Sequence, residues 1–172
     1  MKLLLVLFWL SLSAFAQAVP EGVGQGYDGE LKHVTSQLIA LAEATPADKF
    51  TWRPAPDVRS TSEVYMHIAI ANFYFLNVVG KQKMPPEITQ NFEKSVTNKA
   101  DVISWLKRSL EAARAARSSE TDKTMARKVE FLKQNTTADA VYLRLIIHNN
   151  EHMGQLIAYA RMTGVTPPWS KN

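Results

Sequence analysis

Apolar residues recur every three or four positions in four stretches of the chain, which is the spacing of amphipathic helices. The predicted helices cover about 27–43, 60–79, 98–118 and 137–162. Polar stretches separate them, and the apolar-polar alternation of a half-buried sheet is nearly absent. The pattern therefore predicts an all-α four-helix bundle.

Local signals predict several of the helix ends. Ser60 followed by Glu63 three residues later has the spacing of a capping box, which opens a helix. Gly80 suits the position just past the end of the same helix. The last helix begins after either Thr136 or Thr137, since both residue types cap helices.

The connections on either side of the third helix are long for a simple bundle. They cover 80–97 and 119–135. In the second connection, Val129 and Phe131 are expected to contact the core, and a short strand is an alternative there. The expected architecture is thus a bundle with long linkers around its third helix.

The first 18 residues have the layout of a secretory signal peptide. Lys2 precedes an apolar run, and small residues follow up to Ala16 and Ala18, either of which could end a cleaved segment. An apolar run of about 10 to 15 residues is shorter than the roughly 20 that span a bilayer. We therefore predict a signal peptide at 1–18, a mature domain at 19–172, no stable membrane span after cleavage, and a periplasmic or secreted protein.

Composition and charge exclude some functions. The 172 residues include no cysteine, so thiolate metal ligands and a cysteine nucleophile are ruled out. The formal net charge is +4, and the densest basic region, around Lys107–Arg117, reads as a solvated helix face. No nucleic-acid-binding motif is present, and no nucleic-acid partner is expected.

Three of the four histidines fall on apolar stripes of two predicted helices. His67 shares a stripe with Val64, Ala71, Tyr74 and Val78, and both His148 and His152 share one with Val141, Leu145, Leu156 and Tyr159. Residues four apart on a helix are about 5–6 Å apart at Cβ, a separation that one divalent ion can bridge. Three protein ligands with an open position are typical of catalytic zinc sites. Spacing alone does not exclude that these three histidines are only packing residues of the core. The fourth histidine, His33, lies beside the apolar stripe of the first predicted helix.

The sequence His148-Asn149-Asn150-Glu151-His152 also matches the inverted zinc-peptidase motif H-x-x-E-H. In that motif the carboxylate is a general base, which makes Glu151 a candidate catalytic residue. The motif belongs to much larger α/β enzymes with a distant glutamate as third ligand. A peptidase is therefore the less favoured interpretation.

Two segments resemble the DinB-like superfamily, which includes YfiT-type proteins and thiol-dependent S-transferases. They are FTWRPAPDVRSTSEVYMHIAIAN and HNNEHMGQLIAYARMTGVTPPWS, and the resemblance covers about 27–170. The residues that carry it are Trp52, Arg53, Pro54, His67, His148, His152, Gly154, Gln155, Gly164, Pro167 and Pro168. The resemblance implies a four-helix bundle of the DinB/YfiT type, frequent homodimers, and a divalent metal (zinc, nickel, iron or manganese) held by His67, His148 and His152.

Four further residues are weaker candidates for the surroundings of this site. Gln155, one turn beyond His152, could orient a ligand ring, and Asn72 could lie beside the site. Tyr74 and Tyr159 could line a pocket next to the metal. Each of these residues also has a packing interpretation.

The leading hypothesis is an exported DinB-like metal-binding protein that acts as a metal-dependent hydrolase or thiol S-transferase on an unknown small molecule. The thiols used by characterised transferases of the family belong to the cytoplasm, and the signal peptide counts against that substrate class. The alternative hypothesis is a non-catalytic periplasmic metal-binding or stress-related helical bundle.

Overall fold

The computed structural model describes residues 21–170, and the predicted signal peptide at 1–18 lies outside them. The helices are α1 (Gly26–Ala44), α2 (Thr61–Val78), α3 (Phe92–Ser95), α4 (Lys99–Ser118), α5 (Asp122–Met125) and α6 (Ala138–Met162). The strands are β1 (Lys128–Phe131) and β2 (Gln134–Thr137). The predicted all-α four-helix bundle is confirmed, with α1, α2, α4 and α6 as its long helices. None of the helices in this part of the chain is both long and apolar enough to cross a bilayer.

The predicted end signals act where the sequence placed them. The Ser60 hydroxyl accepts a hydrogen bond from the Glu63 amide, and the Glu63 carboxylate accepts one from the Ser60 amide, which completes the capping box. Gly80 has a φ of 67°, in the left-handed region that glycine adopts without strain. Of the two threonine candidates, Thr137 is the cap of α6.

The packing order of the four long helices differs from their order in the chain. α2 packs on α4 and α6, and α1 packs on the same two helices. The consecutive helices α1 and α2 therefore occupy diagonal corners of the bundle. This order makes α6, the last long helix, a direct neighbour of α2.

The connection after α4 forms a short antiparallel hairpin. β1 pairs with β2 from Lys128 opposite Thr137 to Phe131 opposite Gln134. Both turn residues between the strands have positive φ, which is the backbone that a two-residue hairpin turn requires. Val129 and Phe131 pack against the core, as predicted.

The prediction that Tyr74 points into the bundle is wrong. Tyr74 is 38% exposed, and its stripe with His67 and Ala71 forms the half-exposed edge of α2. The buried face centres instead on Tyr65 and Ala69. The physical reason is that α2 contacts two neighbours and is apolar on most sides, so a spacing of three and four does not single out one buried face.

A buried carboxylate joins the end of α4 to the rest of the bundle. The Glu120 side chain has no exposed surface and accepts two hydrogen bonds from Arg127, at 2.8 and 2.9 Å. It also accepts a bond from the Tyr142 hydroxyl and lies 3.4 Å from the Lys81 amine. Arg127 in turn donates to the Val79 carbonyl at the end of α2.

We predict that Glu120→Gln lowers the free energy of unfolding by about 1–3 kcal/mol at neutral pH, because it leaves the Arg127 guanidinium without its charged partner. Burial raises the pKa of Glu120, but the bonds from Arg127 and its neighbours outweigh this effect and lower the pKa to about 2. Its folded pKa therefore lies below its unfolded value of 4.5. The stabilisation is complete above pH 4.5 and is lost as the pH falls towards 2.

Urea unfolding from pH 2 to 7 measures this difference. The matched control is Glu111→Gln. This substitution removes an exposed ion pair between Glu111 and Arg114, which both lie on α4, and is expected to change the free energy of unfolding little. Equal stability loss in the two variants, or a Glu120→Gln effect that does not shrink in acid, would contradict the prediction.

Candidate metal centre

Three histidine rings meet where α2 packs against α6. His67 comes from α2, and His148 and His152 lie one turn apart on α6. One ring nitrogen of each lies within 4.8 Å of the other two. The Nε2 atoms of His67 and His148 are 3.2 Å apart. The structure thus brings together the three histidines that the sequence selected.

The cluster lies at the edge of the bundle and not at its centre. The His148 ring is buried, with 9% of the residue exposed, while 25% of the His67 side chain is exposed. The cluster is open to solvent at the α2 edge, because His67 belongs to the half-exposed stripe of that helix, and His152 on α6 is also only partly buried. A small molecule could therefore approach the rings from solvent.

A carboxylate from the short helix α3 orients the His67 ring. His67 Nδ1 lies 3.1 Å from a Glu93 oxygen, and Arg59 Nε donates to the other Glu93 oxygen at 2.7 Å. Burial raises the pKa of Glu93, but the hydrogen bonds from His67 and Arg59 lower it to about 2, so this carboxylate is charged. A charged oxygen can only accept, and the proton in this contact therefore sits on His67 Nδ1.

A series of hydrogen bonds between neutral groups orients the His152 ring. His152 Nδ1 lies 2.9 Å from the Gln155 amide oxygen. The Gln155 amide nitrogen donates to the Tyr159 hydroxyl at 2.8 Å, which fixes which end of the amide faces His152. The Tyr159 hydroxyl donates to the backbone carbonyl of Arg59, and Trp52 packs edge-on against the Tyr159 ring.

Packing holds the third ring. His148 lies edge-on against Phe75, with 5.6 Å between ring centroids. Its Nδ1 atom is buried and has no hydrogen-bond partner among residues 21–170. His148 is thus placed by the core, whereas His67 and His152 are placed by hydrogen bonds.

The surroundings keep the buried rings neutral at ordinary pH. Burial lowers the pKa of His148 to about 4, and repulsion from His152 and His67 contributes to the shift. Burial also lowers the pKa of His152, although the Gln155 hydrogen bond opposes this change. A neutral imidazole carries one lone pair, which makes it a metal ligand.

The arrangement fits a divalent cation. The Nδ1 atoms of His67 and His152 are engaged by acceptors, so the lone pair of each ring is on Nε2. The Nε2 atom of His67 faces that of His148. The 3.2 Å between the Nε2 atoms of His67 and His148 is close to the edge of roughly 3.3 Å in a tetrahedron with metal–nitrogen bonds of about 2.0–2.1 Å. A ring nitrogen of His152 lies within 4.8 Å of the other two rings. An all-imidazole set favours zinc, nickel or iron over manganese.

Two of the weaker sequence candidates lie in other environments. The exposed Glu151 carboxylate is held by Arg144 through bonds of 2.9 and 2.5 Å, and this contact lowers its pKa. Asn72 is buried on the face of α2 towards α4, where it donates to the Ser109 hydroxyl. Neither residue hydrogen-bonds to a histidine of the cluster.

No sequence pattern pointed to Glu93 or Arg59. A histidine that binds metal through one ring nitrogen commonly donates the N–H of the other to a carboxylate, so a carboxylate partner is expected. This general rule does not identify which of the 16 acidic residues is the partner. Glu93 lies in a long connection without a periodic pattern, and only the tertiary structure brings it to His67.

The fold and the histidine cluster together define a class of protein, a four-helix bundle with a candidate metal centre between its second and last long helices. The chain belongs to the DinB superfamily, whose family model matches residues 30–156. None of the curated proteins matches the chain in sequence.

Several solved structures share the fold. A DinB-like protein from Bacillus cereus has a TM-score of 0.70 at 21% identity, over 82% of this chain and 95% of its own. The DinB-like protein YjoA from Bacillus subtilis has a TM-score of 0.65 at 21% identity, over 81% and 93%. YfiT from Bacillus subtilis has a TM-score of 0.61 at 13% identity, over 87% and 93%, and is described as a probable metal-dependent hydrolase with an unusual four-helix bundle topology.

We predict that the protein binds zinc or nickel stoichiometrically and that His67→Ala abolishes tight binding, since two imidazoles on one helix remain. At a free metal concentration about 100 times Kd, binding should raise the free energy of unfolding by about 2.7 kcal/mol in the parent protein. Elemental analysis and thermal unfolding with and without chelator measure both effects.

The matched control is His33→Ala, which removes the histidine on α1 outside the cluster. This variant should bind metal like the parent protein. Equal metal content in His67→Ala and His33→Ala would count against the assignment.

Proposed function

We propose that the protein is an exported, metal-dependent hydrolase of the DinB superfamily that acts on a small molecule. The observation that carries this proposal is the convergence of three imidazoles at an edge of the bundle that solvent reaches on one side. A structural metal site is usually closed by four protein ligands, whereas a reactive site keeps one position open.

A divalent cation on three neutral imidazoles keeps its full charge, and it can polarise a carbonyl or lower the pKa of a water molecule. The neighbouring residues orient the imidazole rings. Glu93 and Gln155 hold the Nδ1 protons of His67 and His152, which leaves the lone pair of each ring on Nε2. The exposed part of the His67 side chain gives solvent access to the cluster from the α2 edge.

The carboxylates near the cluster are poorly suited to accept a proton. Glu93 is bound to Arg59 and His67, and its pKa of about 2 makes it a weak base. Glu151 is bound to Arg144, which lowers its pKa as well. These contacts count against the inverted-peptidase interpretation, in which Glu151 would be the general base.

A related structure and the predicted export signal both favour hydrolysis over thiol transfer. The description of YfiT as a probable metal-dependent hydrolase concerns a relative with the same fold, and it supports hydrolysis here by analogy. Thiol transfer could use the same three rings, and an export signal at 1–18 makes cytoplasmic thiols less suitable substrates. Hydrolysis is therefore the preferred proposal.

We predict that the metal-loaded mature protein hydrolyses at least one member of a panel of small esters, amides and lactones. His152→Ala should abolish turnover, since it removes a ligand. Glu151→Gln should retain the rate within about threefold, whereas loss of a true general base costs about 10²–10⁴-fold.

Initial rates with and without chelator measure these effects, and a parallel assay pairs low-molecular-weight thiols with electrophiles. Turnover only in the thiol assay would replace hydrolysis by S-transfer. Stoichiometric metal without turnover in either assay would favour the non-catalytic metal-binding alternative. A loss of 10²-fold or more in Glu151→Gln would restore the peptidase-like mechanism.

We also predict that export removes the signal segment. Expression of the full chain with fractionation should yield a periplasmic or secreted protein whose first residue is Gln17 or Val19, as mass spectrometry of the intact protein can show. A control in which charged residues interrupt the apolar run should stay unprocessed. An intact Met1 in a cytoplasmic protein would contradict this part of the proposal.

A further inference from the structure

Arg59 takes part in both series of hydrogen bonds that orient His67 and His152. It directly precedes Ser60, the cap of α2, at the end of the connection from α1. Its side chain and its backbone carbonyl serve different rings. The two contact chains that start from it end on different helices, at His67 on α2 and at His152 on α6.

The first contact chain passes through the Arg59 side chain. The guanidinium donates from Nε to one Glu93 oxygen at 2.7 Å, and the other Glu93 oxygen accepts from His67 Nδ1 at 3.1 Å. Glu93 belongs to a helix of four residues, α3. Phe92 anchors this short helix to α4 by packing edge-on against Trp105. Arg59 therefore fixes the carboxylate, while Phe92 fixes the backbone that carries it.

The second contact chain starts from the Arg59 backbone. Its carbonyl accepts from the Tyr159 hydroxyl at 3.1 Å, and that hydroxyl accepts from the Gln155 amide at 2.8 Å. The Gln155 oxygen then faces His152 Nδ1 at 2.9 Å. With the hydroxyl proton committed to the carbonyl, Tyr159 can only accept from Gln155, so the amide must turn its oxygen towards the ring.

We infer that Arg59 is a positioning residue, which sets the tautomers of His67 and His152 and so presents both Nε2 atoms to one cation. The inference rests on the proposed metal site and concerns how that site is built. Partners that orient a ligand histidine typically contribute about 10- to 100-fold to metal affinity. Arg59 is expected to act at this level without touching the metal.

The role of Arg59 can be separated from a role in stability. Its side chain is 42% exposed, and exposed ion pairs contribute little to folding. The loss of this side chain should therefore leave the fold intact while it releases Glu93. Metal affinity, and not thermal stability of the metal-free protein, is the quantity that should respond.

Substitutions can cut the two contact chains independently. Arg59→Ala removes the side-chain contact to Glu93 and keeps the backbone carbonyl, so it cuts only the first chain. Tyr159→Phe removes the hydroxyl and keeps the ring beneath Trp52, so it cuts only the second. We expect each variant to bind zinc about 10-fold more weakly, and the double variant about 100-fold more weakly, because the effects act on different rings.

Competition with a chromogenic chelator gives the zinc affinity, and the visible spectrum of the cobalt(II)-loaded protein reports the ligand geometry. Both single variants should alter the cobalt spectrum, which a purely structural role would not predict. Glu93→Gln keeps an oxygen that can accept from His67, and it should bind zinc more tightly than Glu93→Ala. The control is Arg114→Ala, which breaks an exposed ion pair on α4 and should match the parent protein.

The outcomes separate this inference from the proposed function. Parent protein that fails to bind zinc, nickel or cobalt refutes the metal site itself. Parent protein that binds, with folded Arg59→Ala that binds equally well and has the same cobalt spectrum, overturns the positioning role of Arg59 alone. If Arg59→Ala does not fold, the comparison of Glu93→Gln with Glu93→Ala decides the first contact chain, and equal affinities there overturn it.

Discussion

The contact between α2 and α6 is the constraint on which the candidate site depends. It brings His67 against His148 and His152, and it buries the His148 ring while the cluster stays open to solvent at His67. Uncompensated polar groups in such a position cost about 1–3 kcal/mol each. Hydrogen bonds compensate for this at the Nδ1 atoms of His67 and His152, and a shared cation would compensate for the Nε2 lone pairs of the same two rings. The bundle order, with α1 and α2 on a diagonal, is what makes this contact possible.

The irregular connections of this bundle carry much of its specific structure. The connection before α4 supplies Glu93 to the histidine cluster, and the connection after α4 supplies Arg127 to the buried Glu120 carboxylate. In both places an arginine holds a carboxylate that would otherwise be costly to bury. The long linkers are therefore tied to the bundle at defined points, and one of those points adjoins the histidines. This arrangement links the position of a short four-residue helix, α3, to the orientation of the His67 ring.

Family membership and local geometry contribute different parts of the functional argument. The DinB superfamily match and the related structures establish the fold, and fold alone does not specify a reaction. The reaction proposed above rests on the half-exposed position of His67 and on the neutral state of the buried rings. The arginine contacts of Glu93 and Glu151 then direct the mechanism away from a carboxylate base. An oxygen-free ligand set further favours zinc, nickel or iron as the cation.

Local sequence patterns were enough to predict the four long helices, most of their ends and the histidines that share helix faces. These features follow from local rules, since a cap such as Ser60 or a spacing of four between His148 and His152 acts within one or two helical turns. Other features follow from the three-dimensional fold: Tyr74 is exposed, Asn72 faces α4, and Glu93, which is bound by Arg59, contacts His67. Such features depend on which helices become neighbours and where a long connection docks. Residues far apart in the chain set these contacts, and no periodic pattern encodes them.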